Sequence, residues 1–152
     1  VRSSRLTVPE PTAIVWHYTA TDIGTAKSLA KRIRKYKSGV DRAASWHLLI
    51  AADGTIYQSV SLLRGAWHCR CGYLDGHRVN ACSIGIELEG HGQSFPDAQV
   101  DAAARVARTV MDAYRIVPQR ASHGHAEFDP QRRADPGKIW TEKILPGVVR
   151  LA

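Results

Sequence analysis

No run of apolar residues in this chain approaches the roughly 20 needed to cross a bilayer as a helix, so no membrane span of that kind is encoded. Repeats, low-complexity tracts and long Gly/Ser linkers are missing too, which argues against an array and for one domain. At 152 residues that domain is large enough to bury roughly two-thirds of its unfolded surface. No N-terminal stretch has the charged, apolar and small-residue regions of a secretory signal, so synthesis in the cytoplasm is expected. Cysteine is scarce and odd in number. Cys69, Cys71 and Cys82 cannot all pair within one chain, which fits a reducing compartment and ordinary thiols. Cys69 and Cys71, near His68 and His77, imitate a zinc knuckle, but the spacing matches no standard structural zinc pattern.

Acidic residues are also in short supply: 14 Asp and Glu stand against 21 Lys and Arg, a formal net charge of +7. The excess concentrates in "KSLAKRIRKYK", Lys27 to Lys37, which has no acidic residue. Such a segment is either a solvated helix face or an attachment surface for anionic envelope polymers. Specific nucleic-acid binding ranks lower, because no recognisable module is present and aromatic residues are not interleaved with the basic ones.

The residues that are present read as alternating strands and helices. "AIVWHYT", Ala13 to Thr19, is a short β-rich run that reads as a buried strand ending at His17. Thr21 and Asp22 offer N-caps for a helix to about Lys37, with Leu29, Ile33 and Tyr36 along one face. "SWHLLIAADGTIYQSV" flanks Asp53-Gly54 with apolar runs and predicts a hairpin. The stretch from Arg64 to Asn80 reads as a long surface loop. In "CSIGIELEG", Ile84, Ile86 and Leu88 point one way and Gly85, Glu87 and Glu89 the other. "SFPDAQVDAAARVARTVMDAYRI" predicts a helix with Pro96 near its start and Val100, Ala103, Ala107, Val110 and Tyr114 on one stripe. Together these imply an α/β fold: a single domain with a central mixed sheet flanked by helices, its core running from about residue 13 to residue 146.

Seven histidines are many for this length. In "SHGHAEFDPQRRADPG", His123 and His125 sit a residue apart, followed by Arg132, Arg133 and an aspartate, Asp135, ahead of Pro136. A catalytic zinc site uses three protein ligands, typically neutral imidazoles with a carboxylate or thiolate. His17, at the end of a predicted central strand, is a candidate to meet ligands from another segment; the alternative is a hydrogen-bonded structural histidine. His123 and His125 can both chelate if extended, or only one of them does, and Asp135 serves equally as a turn former.

Five fragments in one order carry a family resemblance: "VWHYTA", "SWHLLIAADGTIYQSV", "GAWHC", "NACSIGIELEG" and "GHAEFDPQRRADPG". Over about Ala13 to Trp140 the chain resembles the zinc-dependent N-acetylmuramoyl-L-alanine amidases of the type 2 family, which includes phage lysozyme-like amidases and peptidoglycan recognition proteins. The resemblance implies one zinc ion per chain, held by His17, His125 and Asp135, with His123 outside the ligand set or, as the alternative, in place of His125. It implies Glu87 as the catalytic glutamate, with Glu89, about 6.6 Å along the same strand face, and Glu127 as runners-up. Arg133 stands where many relatives carry lysine. It can stabilise an oxyanion but stays protonated, so proton transfer falls to Glu87. Trp46, His68 and Asn80 match positions lining the glycopeptide groove, with Trp46 standing where phage relatives often have tyrosine. His47 is expected to face the sheet core or a neighbouring strand.

The activity implied by this resemblance is hydrolysis of the amide between N-acetylmuramic acid and L-alanine in peptidoglycan, by one catalytic domain spanning residues 1–152 and acting as a monomer. The expected partners are peptidoglycan or muropeptides. The expected setting is an endolysin-like, antimicrobial enzyme made in the cytoplasm that lyses the cell wall after release; a cytosolic muropeptide-recycling amidase is the rival. A non-catalytic peptidoglycan-binding module is the alternative from a different class, and the complete ligand set argues against it.

Overall fold

In the computed structural model residues 3–35 and 44–150 are described, with residues 32–35 as backbone only. The strands are β1 (Ser3–Ser4), β2 (Ala13–Tyr18), β3 (Leu48–Ile50), β4 (Ile56–Gln58), β5 (Gly65–Ala66), β6 (Tyr73–Leu74), β7 (His77–Arg78), β8 (Ser83–Leu88) and β9 (His123–Gly124). The α-helices are α1 (Ala26–Lys35), α2 (Asp97–Tyr114), α3 (His125–Phe128) and α4 (Leu145–Arg150). Five strands form a mixed sheet in the order β4-β3-β8-β2-β9, in which β4 is antiparallel to β3 and the other pairings are parallel. The α/β reading of the sequence matches this architecture.

Strand alternation sorts the two faces of the sheet. On one face Ile14 and Trp16 of β2 lie level with Ile84 and Ile86 of β8 and join Leu48, Ile50 and Leu88. The buried stripe of α2 closes over them through Ala102, Ala103, Val106, Ala107 and Val110, with Trp140, Leu145, Val148 and Val149 from the C-terminal segment. Each large side chain so buried contributes roughly 1.5–3 kcal/mol. Trp16 is anchored further by its indole Nε1, which donates to the Ala121 carbonyl at 2.7 Å.

The other face carries Val15, His17, Ser83, Gly85, Glu87 and Leu49, and it too is covered. Leu49 packs with Trp46, Ala51 and α1 residues Ala26 and Leu29, while Val15 packs with Cys69 and Val79. The polar side of the β8 alternation is therefore an interior surface. Period-two patterning separates two faces without saying whether either one meets water.

Three expectations change in detail. Helix α1 starts at Ala26 rather than directly after Thr21 and Asp22, because the buried Glu89 carboxylate supplies the cap. It accepts from Ala26 N at 2.6 Å and Ala52 N at 2.9 Å. An anion there satisfies a free amide and suits the positive end of the helix dipole. The predicted face at Ile33 and Tyr36, and the basic run beyond Lys31, lie outside the described side chains. In α2 the buried stripe is centred on Gln99, Ala102 and Val106, and Val100 and Tyr114 are half-buried. Gln99 turns inward because its Nε2 donates to Ile50 O at 2.9 Å and Glu89 O at 3.0 Å, tying the ends of β3 and β8. The stretch from 64 to 80 is not a plain surface loop. It contributes β5, β6 and β7, and it buries His68 and Cys69.

The hairpin matches its prediction, with Gly54 at φ +84° where β3 turns into β4. Just before β3, His47 faces the neighbouring strand as expected. Its Nδ1 accepts from Gly85 N at 2.9 Å, and its Nε2 donates to Arg64 O at 2.7 Å. Burial pushes His47 down to about 4, opposed by its two backbone hydrogen bonds. A histidine whose pKa is lower in the folded state stabilises the fold fully above its unfolded value near 6.5 and loses that contribution as pH falls towards 4. Denaturant titrations should therefore show on the order of 3 kcal/mol more stability lost between pH 7 and 4 in wild type than in His47→Gln. Parallel pH curves for the two proteins would contradict this assignment.

Candidate metal centre

The C-terminal end of β2 lies between β8 and β9. That places His17 directly beside Glu87 on β8, with Trp16 level with Gly124 on β9. His125 follows one residue after β9, as the first residue of α3. Glu127 secures that turn by accepting from Gly124 N at 2.8 Å while His123 Nδ1 bonds its other oxygen at 2.8 Å. Asp135 returns to the same place because its loop is closed on itself. Ala126 N donates to Asp135 O at 3.0 Å, Arg132 N and Arg133 N donate to Asp129 O at 3.1 and 2.9 Å, and the Asp129 carboxylate receives Arg132 Nη1 at 2.9 Å.

These constraints bring three ligand atoms together. His17 Nδ1 and His125 Nδ1 are 3.0 Å apart, and each approaches Asp135 Oδ2, at 3.1 and 2.9 Å. All three residues are buried. A tetrahedral zinc with ligand bonds near 2.0–2.1 Å separates its ligand atoms by roughly 3.3 Å, so a small expansion of this triangle fits one. Two imidazoles and a carboxylate facing a single point suit a divalent cation. Among the described residues, no other group of three His, Cys, Asp or Glu side chains converges in this way.

The electrostatics agree. Burial, with the nearby His125 and Arg133, lowers His17 to about 4 against the pull of Asp135, so it offers a neutral lone pair. Burial works against ionising Asp135, but the hydrogen bond from His125 and the close approach of the His17 imidazole hold it well below the usual carboxylate range. Glu87 shows the opposite behaviour. Burial first, and the Asp135 charge second, push it well above the usual range, with Arg133 opposing. Its Oε2 is shut off from solvent and has no hydrogen-bond partner.

The remaining predicted residues fall into place around this cluster. His123 stays outside it, bonded to Glu127. Glu89 is committed to the amides of Ala26 and Ala52, and Glu127 to its own turn, so neither runner-up stands free as Glu87 does. Arg133, two residues before Asp135, is exposed, and its charge reaches both Glu87 and His17. Trp46 and His68 are both buried. Trp46 is packed beneath α1, and His68 is buried with its Nδ1 3.0 Å from His17 Nε2. Asn80 is half-buried, and its Oδ1 accepts from the backbone amides of His68 and Cys69 at 3.1 and 2.7 Å. Sequence reasoning missed the His68–His17 contact and the roles of Ser83 and Gly85. The available signal was the small residues at alternate positions on the face that carries Glu87. The cysteines are free thiols, and burial pushes Cys69 up to about 12, which suits an inert core residue. Among the described residues no helix is long and apolar enough to cross a membrane.

Known proteins share this sequence and fold. The sequence model of the family described as N-acetylmuramoyl-L-alanine amidase matches residues 7–138. The 1,6-anhydro-N-acetylmuramyl-L-alanine amidase AmpD of Escherichia coli K12 is 40% identical over 63% of this chain and 53% of its own length. A complex of the E. coli N-acetylmuramyl-L-alanine amidase AmiD with the substrate anhydro-N-acetylmuramic acid-L-Ala-D-γ-Glu-L-Lys superposes with a TM-score of 0.74 at 30% identity, covering 97% of this chain and 60% of that one. A crystal structure of AmpD shares the fold with a TM-score of 0.76 at 24% identity, over 98% and 96% of the two chains. The chain spans little more than half the length of these curated relatives.

Metal titration tests the geometry directly. Zinc should bind at one ion per chain, and alanine at His17, His125 or Asp135 should weaken it more than the 10–100-fold typical of losing an outer partner. His123→Ala should bind like wild type. A His123 variant that loses zinc while the His125 variant keeps it would reverse the ligand assignment.

Proposed function

This chain belongs to the N-acetylmuramoyl-L-alanine amidase family, and from that premise we propose that it is a zinc-dependent hydrolase, one catalytic domain acting as a monomer, that cuts the amide between N-acetylmuramic acid and L-alanine. The observation that carries the reading is the convergence of His17, His125 and Asp135 with Glu87 in register beside them on the adjacent strand. The donor set suits zinc, which when bound supplies Lewis acidity towards a carbonyl and a water molecule.

The chain's own residues account for the proton movements. Glu87 takes the proton of the attacking water, and its raised proton affinity makes it the stronger acceptor among the site's carboxylates. It then delivers the proton to the alanine nitrogen as the carbon–nitrogen bond breaks. Arg133 keeps its charge throughout and offsets the negative charge that develops on the carbonyl oxygen. A module that only binds peptidoglycan needs neither a full ligand triangle nor an unpartnered, proton-holding carboxyl, so hydrolysis is favoured.

Relatives named for 1,6-anhydro-N-acetylmuramyl substrates, and the AmiD structure held in complex with an anhydromuropeptide, support soluble muropeptides as the substrate class. A second reading, an endolysin-like antimicrobial role in cell wall lysis, draws on the net charge of +7 and on exposed Lys27 and Lys31 of α1, which suit an anionic envelope. Turnover on purified anhydromuropeptides compared with intact sacculi separates the two.

Glu87→Gln should lower kcat by about 10²–10⁴-fold with zinc content unchanged, followed as release of peptides with a new N-terminal alanine. Zinc chelation should abolish that release in wild type, and added zinc should restore it. Full turnover in the chelated enzyme, or in Glu87→Gln, would rule the mechanism out.

A further inference from the structure

A chain of hydrogen bonds runs from a backbone carbonyl to the far side of His17, and its direction can be deduced. The Ser83 hydroxyl lies 2.6 Å from Val79 O and 3.3 Å from His68 Nε2. A carbonyl only accepts, so the single hydroxyl hydrogen points to Val79, and towards His68 the hydroxyl oxygen is an acceptor. His68 Nε2 must then carry the hydrogen. The ring is buried beside other imidazoles and, among the described residues, has no carboxylate in contact, a setting that penalises a charged ring. A neutral His68 with its hydrogen on Nε2 has a lone pair on Nδ1, which faces His17 Nε2 at 3.0 Å. His17 Nε2 therefore donates, and its one remaining lone pair is on Nδ1, the atom that faces His125 and Asp135.

The surroundings hold His68 in this role. A Cβ at Gly85 would meet the His68 ring at 2.4 Å, so a bare backbone is required where the imidazole lies across β8. Asn80 grips the chain on either side of the ring through the amides of His68 and Cys69.

We propose that His68, directed by Ser83 and the Val79 carbonyl, is a positioning residue that sets the tautomer and orientation of His17 before metal arrives. This rests on the metal reading of the site above. His68 does not touch the converging atoms; it acts through His17 alone. The arrangement is asymmetric, because the distal nitrogen of His125 is buried without a partner.

Nitrogen-15 imidazole spectra of the metal-free protein should show both His17 and His68 with hydrogen on Nε2. In chelator competition, His68→Ala should bind zinc roughly 10–100-fold more weakly than wild type, as expected for loss of an outer partner. Ser83→Ala should weaken binding in the same direction, and His68→Asn, whose amide oxygen can replace Nδ1 as acceptor, should recover most of the loss. Should His68→Ala fail to fold, the wild-type spectra and Ser83→Ala still decide. His68 with hydrogen on Nδ1, or variants that bind zinc like wild type, would overturn the proposal. A wild-type protein that binds no zinc would sink the metal reading instead, while the spectra would still judge the hydrogen-bond chain.

Discussion

Parallel pairing of β2 with β8 sets His17 beside Glu87, and the rest of the site is arranged around that adjacency. A metal-binding imidazole and a proton-carrying carboxyl must be close but must not neutralise each other by direct contact. Neighbouring positions on adjacent strands meet that requirement, since both side chains rise from the same face at a separation set by the sheet. β9 then extends the principle on the other side of β2 and delivers His125 one residue beyond the strand. Placement at the carboxyl ends of parallel strands follows the general habit of open α/β sheets.

Holding these groups away from water has an electrostatic cost that the structure distributes unevenly. Asp135 is kept ionised because two imidazoles address the same oxygen, whereas Glu87 has no such partner and is driven towards its protonated form. Two carboxylates in one site thus acquire opposite proton affinities from their surroundings, a division of labour suited to one ligand and one proton carrier. The third acid on this side of the sheet, Glu89, is spent on architecture. Its two oxygens tie the start of α1 and the β3–β4 turn to the end of β8, next to the strand positions on which the site depends.

Much of this was legible from residues alone. The β2 strand, the Asp53-Gly54 hairpin, the β8 alternation and the α2 helix follow from local periodicity and turn chemistry, which depend on neighbours in sequence. The His, His, Asp and Glu set was legible as an ordered group of motifs, although spacing by itself left His123 and His125 as equal candidates. β9 favours His125 in that competition, since the residue after the strand reaches the β2 terminus while His123 is bonded to Glu127.

By itself, then, the sequence determined the class of fold, the order of its elements and the types of side chain available for metal and proton chemistry. Tertiary structure showed how β9 carries His125, already favoured by resemblance, into the cluster, and it alone decided that Glu89 is a brace and that His68 backs His17. The reason is physical. Patterning records which residues share a face, whereas ligand geometry, burial and hydrogen-bond direction depend on atoms brought within about 3 Å of each other from segments far apart in the chain.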